Sequence, residues 1–263
     1  MRDLLVTAII LGSLPYIMKR PWIGVLMWSW IGYMNPHRLT WGFAFDMPFA
    51  QIVALVLFVS ILLDKEKKEF PPSGGMLWVW ASFIAWMALT STFALYVGDA
   101  WTQYIKIIKI QIVTFLTILL ITDQKKIDLL IWVIVASIGF YSIKGGIFTV
   151  MTGGVSRVYG PPGGFIQENN SLALATLMVI PLMIYLYRIT ETRWLKLGIG
   201  GAVLLSLVSA LGSQSRGALL AIIAVSGYFW ISSRYKFVTG IAIVVLAVIG
   251  FMFMPESWHA RMD

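Results

Sequence analysis

Residues 125–154 read KKIDLLIWVIVASIGFYSIKGGIFTVMTGG, and this stretch decides the class of fold. Two lysines open it, a long apolar run follows, and glycines close it. The run predicts a helix over residues 127–150, and at 1.5 Å per residue such a helix is about 36 Å long, enough to cross a hydrocarbon layer of about 30 Å. Runs of the same kind recur from Leu4 to Phe253, each interrupted by a short cluster of charged, Gly or Pro residues. That is the pattern of repeated membrane crossings rather than of one buried core. Composition agrees: 12% of the 263 residues are charged and 59% are hydrophobic, whereas globular chains carry about 25% and about 45–50%. So little charge cannot cover a water-facing surface.

Working outward, the apolar runs predict an all-α, polytopic transmembrane bundle of about ten helices. They are expected near residues 3–18, 21–34, 47–63, 75–95, 103–122, 127–150, 170–188, 195–212, 216–232 and 236–253. The first two are short for a crossing and alternatively form a hairpin that dips into the bilayer with the aromatic segment LTWGFAFDMPFA, residues 39–50. Residues 1–263 read as a single transmembrane domain. Within it, 1–70 are N-terminal helices and an aromatic loop, 71–254 a helical core, and 255–263 the start of a truncated loop. The N-terminal apolar stretch has no small-residue cleavage site, so it is expected to remain as the first helix. The segment DKEKKEFPPSGG, residues 64–75, reads as a solvated connector.

Positive charge is unevenly placed. Most of the 20 basic residues fall in five compact alternate loops: Lys19 and Arg20; Lys65, Lys67 and Lys68; Lys125 and Lys126; Arg188, Arg193 and Lys196; Arg234 and Lys236. Short cytoplasmic loops accumulate Lys and Arg, so this set marks the cytoplasm. Both termini then face the opposite side, which in a bacterial inner membrane is the periplasm. The net charge of +8 is spread between apolar runs, where it meets anionic lipid headgroups, and implies no nucleic-acid partner. Cys is absent and His37 and His259 are the only histidines. The sequence therefore predicts neither a redox nor a metal centre, and no cofactor.

The cations left on the periplasmic side are the informative ones, because that side is normally depleted in them. Arg216 stands in SQSRGALLA, residues 213–221, where Ser213 or Ser215 can cap a helix starting at Arg216. Such a helix start presents free N–H groups and the positive end of the helix dipole, Gly217 leaves room, and a guanidinium pairs two phosphate oxygens at once. A pyrophosphate fits this chemistry; a snorkelling arginine at a helix end fits the spacing equally. Lys106 and Lys109 share one helix face near the expected periplasmic start of the fifth helix. They are either a clamp on a lipid-linked phosphate or interfacial anchors beside Trp101 and Tyr104. Lys144 lies two turns inside its helix beside Gly145 and Gly146, which let a neighbour come close; it too reads as site or snorkel. Arg157 precedes the GPPGG turn, and Glu168, Asn169 and Asn170 fall where a helix cap is needed. His37 and His259 read as interfacial residues beside Trp and Arg. Pro181 is expected to kink the seventh helix.

Four segments taken in order carry a resemblance: YMNPHRLTWGFAF (33–45), SRVYGPPGGFIQENNSLALA (156–175), SQSRGALLA (213–221) and MPESWHARM (254–262). Together they resemble the O-antigen ligase-like membrane proteins, in particular the O-glycosylation ligases associated with the exosortase A system. The resemblance implies a metal-independent glycosyltransferase at the periplasmic face. It would move a glycan from an undecaprenyl-pyrophosphate-linked donor to a lipid, protein or polysaccharide acceptor, with inversion. Arg216 matches that family's SRG arginine and would hold the pyrophosphate, with Arg157 as helper. The family's proposed catalytic histidine lies in a large loop after the tenth helix, beyond Asp263, so no catalytic residue is assigned within this chain. Competing expectations are a transporter or flippase of a lipid-linked or anionic solute, and a non-catalytic membrane subunit of an envelope assembly.

Overall fold

The computed structural model describes residues 1–64, 74–256 and Trp258. The connector expected at 64–75 lies almost wholly outside the described residues. Among them the fold is all-α, with ten helices and no strand. In order these are α1 (Arg2–Lys19), α2 (Pro21–Met34), α3 (Phe49–Leu63), α4 (Gly74–Thr92), α5 (Val97–Leu120), α6 (Gln124–Met151), α7 (Asn169–Ile189), α8 (Arg193–Gly212), α9 (Arg216–Ser232) and α10 (Lys236–Phe253). Two 3-10 turns, Pro36–Leu39 and Phe43–Asp46, form the aromatic loop. Six helices, α4 to α8 and α10, are long and apolar enough to cross a membrane. The apolar α3 and α9 are shorter, at 15 and 17 residues.

Most boundaries fall within a few residues of those expected. The exception is α5, which starts at Val97 rather than at 103. Asp99 in its first turn favours the positive end of the helix dipole, and Gly98 is tolerated there. Lys106 and Lys109 therefore sit roughly 13–18 Å along the helix at 1.5 Å per residue, well inside it rather than near its start. At the start of α6 the Asp123 carboxylate accepts a hydrogen bond from the Lys126 N–H (2.9 Å) and an ion pair from its Nζ (2.9 Å). α7 continues through Pro181.

The chain divides into two compact units, each with its own interior. One comprises residues 10–28 and 51–128. In it Ile17, Val25, Val53 and Leu57 are fully buried, Gly24 lets α2 approach Ile17 and Leu57, and the Ser60 hydroxyl donates to the Ile17 carbonyl at 2.7 Å. Trp80 Nε1 of α4 donates to Gln111 Oε1 of α5 at 2.6 Å.

The other unit comprises residues 1–9, 29–50 and 129–263. Its centre is α7, whose buried residues recur at helical spacing from Asn169 through Leu172, Thr176, Val179 and Met183 to Leu186. One side of α7 closes an apolar cluster with α6 and α8, another with α8 and α9. Lipid is as apolar as leucine, so helices in it are joined by close approach of small residues and by buried polar bonds. Both occur here. A side chain at Gly146 would strike the Leu205 carbonyl of α8, one at Gly145 the Ser209 hydroxyl, and one at Gly212 the Thr149 hydroxyl. Between α6 and α7 the buried hydroxyls of Ser142 and Thr176 are 2.9 Å apart.

Candidate functional site

α6 ends on two glycines. Gly153 and Gly154 are left-handed (φ 59° and 75°), and their N–H groups donate back to the Val150 and Thr149 carbonyls at 3.3 and 2.9 Å, a Schellman stop. The chain then folds back against the bundle. Val158 is buried with Tyr141 and Leu172, close to Gly145, and its N–H donates to the Gly212 carbonyl at 3.2 Å. Past Val158 the Gly160 N–H donates to the Gln167 carbonyl at 2.9 Å and the Gly163 N–H to Gln167 Oε1 at 2.8 Å, closing the PPGG turn. Gly160 must be glycine because a Cβ would collide with the Ile166 carbonyl.

This loop meets the turn between α8 and α9. Ser215 caps α9, its hydroxyl accepting from the Ala218 N–H at 3.1 Å; Ser213 donates to Ala210 instead. Between the two serines Gln214 is left-handed (φ 53°) and buried. Its Nε2 donates to the carbonyls of Gly154 and Val155, both at 3.0 Å. Asn169 Nδ2 donates to the Ser213 carbonyl at 2.8 Å. Of the three residues expected at the cap of α7, Glu168 takes the position without a side-chain cap bond, and Asn169 instead ties α7 to the turn.

The result is a cavity of about 870 Å³ where the first turns of α7 and α9 converge. Arg157 and Arg216 both line it, with Asn170 and Gly217 beside them, and Leu174 and Ala221 form its apolar end. Arg157 is half-buried and Arg216 exposed. Among the described lining residues none is acidic or a histidine. The two cations and two helix N-termini that the described residues bring to this space are groups that favour an anion. Of the other sequence candidates, Lys144 is in the same unit but exposed and not among the lining residues. Lys106 and Lys109 are exposed residues of the other unit. Sequence reasoning passed over Gln214, for which a lone glutamine in a turn offers no signal.

On the aromatic loop, Arg38 pairs with Asp46 at 3.2 Å and lies over the Phe45 ring at 4.5 Å. His37 meets Phe49 edge-on, centroids 5.9 Å apart, and its Nδ1 is buried with no hydrogen-bond partner among the described residues. Burial, and secondarily the Arg38 charge, lower its pKa. His259 lies outside the described residues.

The fold and the cavity define a multi-pass helical membrane protein with an anion-suited pocket at one end of its larger bundle. Residues 1–191 match a family of unknown function, DUF5935, and the chain belongs to that family. No curated protein and no solved structure matches it.

Proposed function

We propose that this protein grips the diphosphate of an undecaprenyl-pyrophosphate-linked glycan in the cavity between α7 and α9, and that it serves glycan transfer of the O-antigen ligase type at the periplasmic face of the bacterial inner membrane. The convergence of Arg157, Arg216 and two helix N-termini on one cavity carries this reading. A guanidinium offers two parallel donors to phosphate oxygens, and helix N-termini add backbone donors and a positive potential. Both interactions strengthen as charge builds on the departing diphosphate, so the same groups that bind the donor stabilise its leaving group. The apolar end of the cavity, at Leu174 and Ala221, suits the first isoprene units of the carrier. Among the described lining residues, Arg157 and Arg216 supply leaving-group stabilisation.

The test is transfer from a synthetic undecaprenyl-pyrophosphate glycan in reconstituted membranes, with donor binding measured alongside. Arg216→Ala should weaken binding about 10–100-fold, as expected for loss of a charge-assisted pair. Arg216→Lys should restore it in part, since an ammonium keeps the charge without the fork. Unchanged binding in Arg216→Ala would overturn the reading.

A further inference from the structure

We infer that Gln214 is a positioning residue that holds Arg157 in the anion cavity; this rests on the diphosphate reading above. The turn carrying Arg216 and the loop carrying Arg157 are separated by more than fifty residues and have no secondary structure in common. Ahead of Arg157 the Gln214 carboxamide joins them. Both hydrogens of Gln214 Nε2 are engaged, one on the Gly154 carbonyl and one on the Val155 carbonyl, each at 3.0 Å. These acceptors stand three and two residues before Arg157. After Arg157 the loop is tied by the Val158 N–H on the Gly212 carbonyl at 3.2 Å. The arginine is thus suspended between two anchors, one on the last residue of α8 and one on the turn that follows it.

The backbone adapts to this use. Gln214 is held at φ 53°, a left-handed conformation uncommon for residues other than Gly, Asn and Asp. The side chain is buried against the loop it binds. Gln214 lines the cavity, yet its donors are committed to protein carbonyls, so its effect on an anion passes through Arg157.

Two substitutions separate the amide from the backbone. Gln214→Gly accepts the left-handed conformation and removes the amide; Gln214→Asn accepts it and is one methylene too short to reach both carbonyls. The absence of cysteine allows spin labels at Ser156→Cys and Leu220→Cys in the full solubilised chain, both exposed positions. The distance distribution between them should be narrow with Gln214 and broad with either variant. Affinity for inorganic pyrophosphate, by calorimetry, should fall about tenfold in Gln214→Gly and by a similar factor in Arg157→Ala. The double variant should fall no further than Arg157→Ala alone, the non-additivity expected when one residue acts through another.

A distance distribution unchanged by Gln214→Gly, or losses that multiply in the double variant, would overturn the inference. If Arg216→Ala abolishes pyrophosphate binding while Gln214→Gly leaves it intact, the positioning role fails and the diphosphate reading stands. If the unaltered chain binds no pyrophosphate, both fail.

Discussion

Arg216 is placed by the residue before it. The Ser215 hydroxyl caps the Ala218 N–H, which starts α9 at Arg216 and sets the first turn of the helix against the cavity. Ser215→Ala should cost about 1 kcal/mol of helix stability and weaken anion binding, because the first turn then frays where the anion docks; thermal melting with and without pyrophosphate reads both effects. His37 makes a separate prediction. Its pKa is held below the ordinary 6.5 by burial and then by Arg38, so the folded protein keeps the imidazole neutral where the unfolded chain takes up a proton. Stability should be constant above about pH 7, fall as pH drops below the unfolded value near 6.5, and level off once the folded site protonates. His37→Gln should flatten this part of a melting-temperature profile between pH 7.5 and 5. A profile that His37→Gln leaves unaltered would show that the imidazole is not its source.

At the scale of elements, α6 and α8 are joined through glycines. Gly146 faces the Leu205 carbonyl directly, so a methyl there must push two helix backbones apart. Gly146→Ala should destabilise by about 1–3 kcal/mol, the usual cost of overpacking. Gly198, also helical, has open space around its Cβ direction, and Gly198→Ala should be neutral or slightly stabilising. Melting of the two variants side by side separates packing from helix propensity. Because Gly212 and Thr149 belong to the same contact, loosening it should also shift the turn that bears Arg216. Sequence reading placed Gly145 and Gly146 beside a neighbour but had no means to say which neighbour, since several helices were equally available.

For the whole molecule, the distribution of Lys and Arg predicts which end of the bundle faces out. The cysteine-free chain makes the test direct. Ser156→Cys, on the loop that carries Arg157, should react with a membrane-impermeant maleimide in intact cells, and Glu191→Cys, in the exposed link between α7 and α8, only after permeabilisation. The opposite pattern would put both arginines in the cytosol and remove the proposed donor from reach. The class of fold was legible from sequence alone: ten apolar runs became ten helices among the described residues, because hydropathy and helix breaking are properties of consecutive residues. The cap of α9 was legible for the same reason. Only tertiary structure decided which cations meet. Arg157 joins Arg216 through a loop folded back by Val158 and Gln214, whereas Lys144 remains exposed on its helix. That choice depends on close contacts at glycines and on one left-handed glutamine, and proximity of this kind, made across dozens of residues, leaves no period in the chain to be read.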